Sequence, residues 1–217
     1  MERLKSKIIY NNKESNVSVR NVSIKKSLYF FVKRSFDVLL SLVTLILLFI
    51  PMVVIGVCIC IDSPGSPIFK QYRIGKNRKA FVMYKFRSMY IDAPSEKSTA
   101  SFIDSEKYIT KVGLFIRKTS LDELPQLINI LRGDMSFVGF RPVCTTEETI
   151  TRLRDDNNVF IVKPGLTGLA QINGRDNLSD EQKVALDKEY VENMSLILDF
   201  RCILKTVSVV LKQNGVR

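Results

Sequence analysis

Histidine is absent from the 217-residue sequence, which removes several chemistries at once. Ser–His and Cys–His nucleophiles, histidine proton shuttles and His-ligated zinc are excluded. Acid–base or nucleophilic work falls to carboxylates, lysines, tyrosines and hydroxyls. Asp122 and Glu123 are the acids that stand out, adjacent at the head of a stretch (residues 121–131) with leucine and isoleucine at helical spacing. One reading is capping: Ser120-x-x-Glu123 has the spacing of a capping box, and acids suit the positive end of a helix. Pro125 would then be the fifth helical residue, which shifts the expected cap toward Asp122. The other reading is chemical. Two adjacent carboxylates ionised at neutral pH can divide labour, one binding a divalent cation while the other attacks phosphorus.

Groups suited to phosphate lie on either side of this pair. Lys85 and Arg87 are two apart in Tyr84-Lys-Phe-Arg-Ser-Met89, on one face if that segment is extended. Arg141 follows Gly139, and Arg175 follows Gly174. Arginine is the planar partner of phosphate oxygens, and glycine lets backbone N–H groups come close. No Walker or Rossmann glycine pattern occurs, so the combination suggests phosphoryl chemistry outside the common nucleotide folds.

Charge distribution shows which elements must carry these residues. The chain has 33 Lys and Arg against 22 Asp and Glu, a net charge of +11. Residues 1–34 hold nine cations and two anions, and residues 63–118 hold twelve and four. Between them, 38–61 is an uncharged run of 24 residues. Basic blocks around a greasy one point to a membrane surface more than to nucleic acid. A straight helix of that length, about 36 Å, would cross a hydrocarbon core of about 30 Å. Pro51 argues against it, since it breaks the run into halves too short to cross. Both flanks are also basic, and a crossing would put one cluster on the wrong side. A re-entrant hairpin satisfies both. The expected organisation is a basic tail over 1–32, a membrane hairpin over 33–62 and a cytosolic domain over 63–217.

Within that domain, β-prone pieces fall between 68 and 89, a loop or short helix over 92–107, a glycine-punctuated loop or strand over 163–171 and a surface helix over 179–192. Residues 196–211 read as a core helix or as an amphipathic helix in the membrane interface, with Arg201, Lys205 and Lys212 toward headgroups. The fold class expected is α+β: a single, mainly helical, membrane-associated domain with a few short strands. Cys58, Cys60, Cys144 and Cys202 have no paired-ligand spacing and suit reduced thiols in a cytosolic compartment.

Six motifs occur in order: Pro67-Ile-Phe-x-Gln71-x-Arg73-x-Gly75; Tyr84-Lys-Phe-Arg-Ser-Met89; Leu121-Asp-Glu-Leu-Pro-Gln-Leu-Ile-Asn129; Arg132-Gly-Asp-Met-Ser-Phe-Val-Gly139 with Arg141-Pro142; Lys163-Pro-Gly-Leu-Thr-Gly168; and Gln171-Ile-Asn-Gly-Arg175. Together they resemble the bacterial sugar transferase family, the monotopic phosphoglycosyl transferases that start glycan assembly on a polyprenol carrier. The resemblance runs from about Lys33 to the C-terminus.

The resemblance implies that Asp122 is a nucleophile displacing UMP from a UDP-sugar to form an aspartyl phosphosugar. It implies that Glu123 holds Mg²⁺, and that Lys85, Arg141 and Arg175 lie near phosphate or nucleotide; Arg87 and Asp199 join them as candidate substrate-binding residues. Asp199 matches a motif acid with no physical role evident from sequence. Pro51 matches the proline that breaks the re-entrant helix. The acceptor implied is polyprenol (undecaprenyl) phosphate at the cytosolic face of the inner membrane, with membrane lipids as partners, no nucleic acid, and a homodimer left open. Two positions depart from the family: Ile50 stands where serine usually precedes the proline, and Phe140 stands where proline usually precedes the motif arginine. Two other readings stay open from sequence alone. The lipid phosphate could attack the donor directly with Asp122 as a metal ligand, or the chain could be a non-catalytic basic protein of membrane surfaces or nucleic acid.

Overall fold

The computed structural model describes residues 24–93, 105–174 and 177–211. The tail expected over 1–32 lies largely outside these residues, as do most of the segment 92–107, Lys212 and Arg175.

Two helices open the fold, α1 (Ile24–Leu47) and α2 (Phe49–Asp62), and meet at a bend of 63°. Pro51 sits in the first turn of α2. Its missing N–H would otherwise serve the Leu47 carbonyl, whereas Leu48 N–H still donates to Thr44 O (2.9 Å) and Met52 N–H to Leu48 O (2.8 Å). Hydrogen bonding thus resumes on either side of the break, and the chain bends here with isoleucine at position 50. Ile50 points outward, 73% exposed. No single helix among the described residues is long and apolar enough to cross a membrane; the bent pair passes that test only together.

Both arms of the bend are fastened to the same body. Midway along α1, Asp37 is buried and its Oδ1 accepts from Ser136 Oγ and Phe137 N–H, both at 3.1 Å. Arg34 donates to the Ile130 and Leu131 carbonyls (2.6 and 2.8 Å). At the end of α2, Ile59 packs with Phe86 and Ile116, and Asp62 Oδ2 accepts from Val112 N–H (2.9 Å). The remaining faces of both arms expose Leu39, Ile46, Leu47, Phe49, Val54 and Ile61 among others.

Strands β1 (Ile68–Ile74) and β2 (Ala80–Phe86) form an antiparallel hairpin registered Ile68 with Phe86 through Ile74 with Ala80. Asn77 and Arg78 take the left-handed conformation at its tip, the pairing that matches strand twist. After α3 (Lys111–Lys118) and a 3₁₀ turn (Leu121–Glu123) comes α4 (Gln126–Arg132), which docks on the free edge of β2. Asn129 makes that junction: its amide donates to Val82 O (2.7 Å) and accepts from Tyr84 N–H (3.0 Å), in place of another strand. Strands β3 (Ser136–Val138) and β4 (Gly165–Thr167) pair in parallel, with α5 (Glu148–Asp156) between them. Helices α6 (Leu169–Ile172), α7 (Asp180–Glu192) and α8 (Leu196–Leu211) close the main core, built on Val138, Phe140, Val159, Tyr190 and Cys202.

The α+β expectation holds, and three local readings change. The capping box lies at Ser179 and Gln182, opening α7, and not at Ser120, whose backbone is left-handed (φ 56°) and whose side chain caps nothing. The helix expected over 121–131 is divided at Leu124–Pro125. α8 is neither of the pure alternatives: Asp199 and Cys202 are buried while Ile197, Phe200, Leu204 and Val207 are exposed, so one face is core and the other bare and apolar.

The four cysteines are free, with Cys58 and Cys60 exposed and Cys144 and Cys202 buried. Burial pushes the Cys202 thiol up to about 11 and also raises Cys144. A membrane-permeant maleimide is expected to add to Cys58 and Cys60 in the native protein and to all four only in denaturant. Intact-mass counting checks this, and native labelling of Cys202 would contradict the packing of α8.

Candidate active site

The acidic pair is positioned by the residues on either side of it. Leu121 and Leu124 both pack into the cluster of Ile59, Phe86 and Ile116, and Leu124 also touches the cluster of Met83, Leu127, Ile130 and Met135. The 3₁₀ turn between these leucines holds Asp122 and Glu123 on one short backbone segment. Pro125 follows as the residue before α4, where an absent N–H costs nothing.

The two carboxylates then differ. Glu123 is buried, and its Oε1 accepts from Arg141 Nη2 (3.0 Å) and from Lys85 Nζ (3.4 Å). Asp122 is half-buried and accepts no hydrogen bond among the described residues. Burial holds its carboxyl above the usual carboxylate range, against the pull of Lys85, Arg117 and Arg141. Burial likewise pushes Lys85 down, with Glu123 opposing. One acid is thus clamped by cations. Its neighbour is poorly solvated and uncommitted, the condition of a nucleophile rather than of a structural ion pair.

Arg141 is itself held from behind. Arg154, buried on α5, donates Nη1–H to the Arg141 carbonyl (2.7 Å) and Nε–H to Asp187 Oδ2 (2.9 Å), and lies 5.1 Å above the Phe140 ring. Phe140 stands edge-on to Phe160 at 5.4 Å, and its carbonyl accepts from Gly165 N–H (2.8 Å). The loop before Arg141 is therefore stiffened by aromatic packing in place of the usual proline. Gly139 plays a different part from the one expected of it. Its N–H is spent on Thr167 O (2.9 Å), and a Cβ on Gly139, Gly165 or Gly168 would strike backbone of the facing segment. These glycines let two chains touch; they do not cradle a phosphate.

Arg73 and Arg117 are functional candidates that spacing alone did not single out. Arg73 Nη1–H reaches Pro142 O (3.3 Å), Nη2–H reaches Gln71 Oε1, and its charge is within reach of Glu123 and Arg141. Its place in Gln71-x-Arg73-x-Gly75 was the available signal. Arg117, in the last turn of α3, lowers the Asp122 carboxyl through its charge, against the larger effect of burial.

Two candidates lie elsewhere. Arg87 follows the last residue of β2, so strand alternation with Lys85 ends before it. Its Nη1–H and Nη2–H donate to the carbonyls of Pro64 and Ser63 (2.6 and 2.5 Å), closing the turn after α2. Asp199 accepts from Lys33 Nζ and Tyr29 O–H through Oδ2, both at 2.9 Å, and from Tyr190 O–H through Oδ1 at 2.7 Å. It joins α1, α7 and α8 and has no contact with the acidic pair. Both carboxylate oxygens of Asp199 and both terminal nitrogens of Arg87 are engaged by the fold, while the buried Arg87 Nε has no hydrogen-bond partner among the described residues.

The profile of the bacterial sugar transferase family matches residues 28–213. The chain belongs to the bacterial sugar transferase family. Among similar proteins, the UDP-galactose-lipid carrier transferase of Erwinia amylovora is 41% identical over 202 residues, covering 85% of this chain and 41% of that protein. The undecaprenyl-phosphate galactose phosphotransferase of Salmonella typhimurium is 36% identical over 222 residues, covering 95% and 46%. The exopolysaccharide production protein ExoY of Rhizobium meliloti is 40% identical over 200 residues, covering 84% and 87%. This family member thus spans less than half the length of the first two relatives and most of the third.

Proposed function

We propose that this sugar transferase moves a sugar-1-phosphate from a UDP-sugar to polyprenol (undecaprenyl) phosphate, with Asp122 carrying the phosphosugar between the two. The observation that carries the reading is the asymmetry of the acidic pair: Glu123 engaged by Lys85 and Arg141, Asp122 beside it with no hydrogen bond. Two relatives are named for UDP-galactose and for undecaprenyl phosphate, which supplies the classes of donor and acceptor.

In the first step an Asp122 oxygen attacks the phosphorus that bears the sugar. The bond from that phosphorus to the bridging oxygen breaks, and UMP leaves with the oxygen and its electron pair. In the second step an oxygen of the lipid phosphate attacks the same phosphorus, the acyl-phosphate bond breaks and the Asp122 carboxylate is restored. Lys85 and Arg141 sit where they can hold equatorial phosphate oxygens in both steps, and Arg154 keeps the Arg141 loop from drifting.

Mg²⁺ suits the same pair. Among the described residues no group of three or more acid or cysteine side chains encloses a metal. Mg²⁺ commonly takes one or two carboxylates and completes its shell with water and substrate phosphates. Glu123, with Asp122 beside it, would hold the ion; bound there with the diphosphate, it would offset charge developing on UMP. Calorimetry is expected to register Mg²⁺ binding in the presence of UDP and little without it. Equal affinity without nucleotide would mean a closed metal site and would contradict the assignment.

The bent helix pair supports a monotopic placement at the cytosolic face of the inner membrane. The Lys33–Asp37 region of α1 and the Ile59–Asp62 end of α2 bind one body, so a bilayer has no room between them. The bare apolar faces of α1, α2 and α8 are the surfaces left to meet lipid.

The deciding experiment uses a panel of UDP-sugars labelled at the β-phosphorus. With the accepted sugar but no lipid, one equivalent of UMP should appear and the label should stay on the protein. Adding polyprenol phosphate should then move the label to lipid. UMP that appears only after lipid is added, with no labelled protein, would favour direct attack and overturn the Asp122 intermediate.

A further inference from the structure

A second group of cations lies at the other end of α4 from the acidic pair, a separation of about 10 Å along the helix. Phe30, Lys33, Arg34 and Asp37 of α1, Lys76 of the β-hairpin tip and Lys163 before β4 line a cavity of about 180 Å³. That is about six water volumes, room enough for a phosphate and its ester oxygens.

The charges in this cavity are unbalanced. Lys33 is paired with Asp199 (2.9 Å), whereas Arg34, Lys76 and Lys163 form no ion pair among the described residues. Arg34 spends its nitrogens on the final carbonyls of α4, a capping role that accounts for its own position. It does not account for Lys163, whose Nζ makes no hydrogen bond among the described residues, yet lies beside Gly133 on the same side as the Arg34 guanidinium. Lys76 rests over the Phe30 ring at 5.9 Å, held by an aromatic face and not by an acid. Asp37, the carboxylate lining the cavity, turns Oδ1 to Ser136 and Phe137. Burial pushes Lys163 down, and Arg34 and Lys76 add to that, against the opposing pull of Asp37 and Asp134. Asp37 is the one carboxylate among described lining residues that also include Lys33, Arg34, Lys76 and Lys163, an excess of cations that a bound anion would offset.

We propose that this cavity is an anion site separate from the acidic pair, taking a phosphate group between Lys163, Lys76 and Arg34. The apolar surface beside it favours a phosphate carried on an amphiphile: Leu28 and Phe31, on the same turns of α1, are 62% and 71% exposed. A headgroup phosphate in the cavity would leave its acyl chains along that face. The site does not depend on the transferase chemistry, so an Asp122→Asn protein should keep it.

The test uses the full chain in nanodiscs and by native mass spectrometry from detergent. Short-chain phosphatidylglycerol should bind better than phosphatidylcholine, and Lys76→Ala with Lys163→Ala should weaken the phosphatidylglycerol adduct by about 30-fold. Lys163→Arg should retain it, and thermal melts identify any variant that fails to fold. Inorganic phosphate is the second arm. If it binds with the same dependence on Lys76 and Lys163 while phosphatidylglycerol shows no advantage, the site stands and its ligand is a free phosphate. Equal binding of both lipids together with phosphate binding indifferent to the two lysines would overturn the proposal.

Discussion

Asp122→Asn is expected to reduce UMP release by at least about 10³-fold while leaving the fold intact. The substitution keeps size and shape and replaces an attacking oxygen by an amide that cannot form the acyl phosphate. Asp122 accepts no hydrogen bond among the described residues, so no partner is stranded by the change. Removing a carboxyl that burial holds above its usual range relieves a cost, and the melting temperature should stay level or rise. Glu123→Gln provides the contrast. It leaves Lys85 and Arg141 facing a neutral oxygen, so it should lower both activity and stability. Near-normal turnover by Asp122→Asn would remove the residue from the chemistry, whatever became of Glu123.

Arg154→Met should produce the largest loss of stability, about 3–5 kcal/mol or a fall in melting temperature of about 10 °C. Arg154 and Asp187 are each 1% exposed at the side chain, with Nη2 2.7 Å from Oδ2. Cutting away the guanidinium leaves a buried carboxylate without its partner. Arg154→Met combined with Asp187→Leu removes both charges and should restore most of the stability, because the attraction within a buried pair is largely offset by desolvation. Activity should not return with it. The double variant still lacks the donor to the Arg141 carbonyl and the cation over Phe140, so Arg141 loses its support. Calorimetric melts and UMP release on the three proteins separate the two effects; recovery of both together would show that Arg154 acts only through stability.

The acidic pair was legible because Leu-Asp-Glu-Leu puts polar residues between two leucines that must be buried, and because no histidine competes for the role. The bend was legible from Pro51 and the basic flanks. The continuous helix over 121–131 misled, since apolar spacing does not register that Ser120 turns left-handed and that Pro125 restarts the helix. Arg87 misled because periodicity does not mark where a strand ends; one residue past Phe86 the side chain is free to turn toward the 63–65 carbonyls. The glycines next to Arg141 suggested a phosphate loop, but contact between β3 and β4 is a pairing of distant segments that no local pattern announces. Arg154 and Asp187, 33 positions apart, were hidden for the same reason.

The leucines beside the acidic pair have one further consequence. Leu121 and Leu124 pack, together with Met52 and Ile55 of α2, on one cluster built on Ile59, Phe86 and Ile116. In the proposed reading, the attacking Asp122 oxygen and the arm that meets lipid are therefore joined through one packed cluster. On the proposed placement, the height of that oxygen over the headgroup plane is set by side-chain contact within the protein, and thinning or thickening the bilayer should carry anchor and nucleophile up or down together.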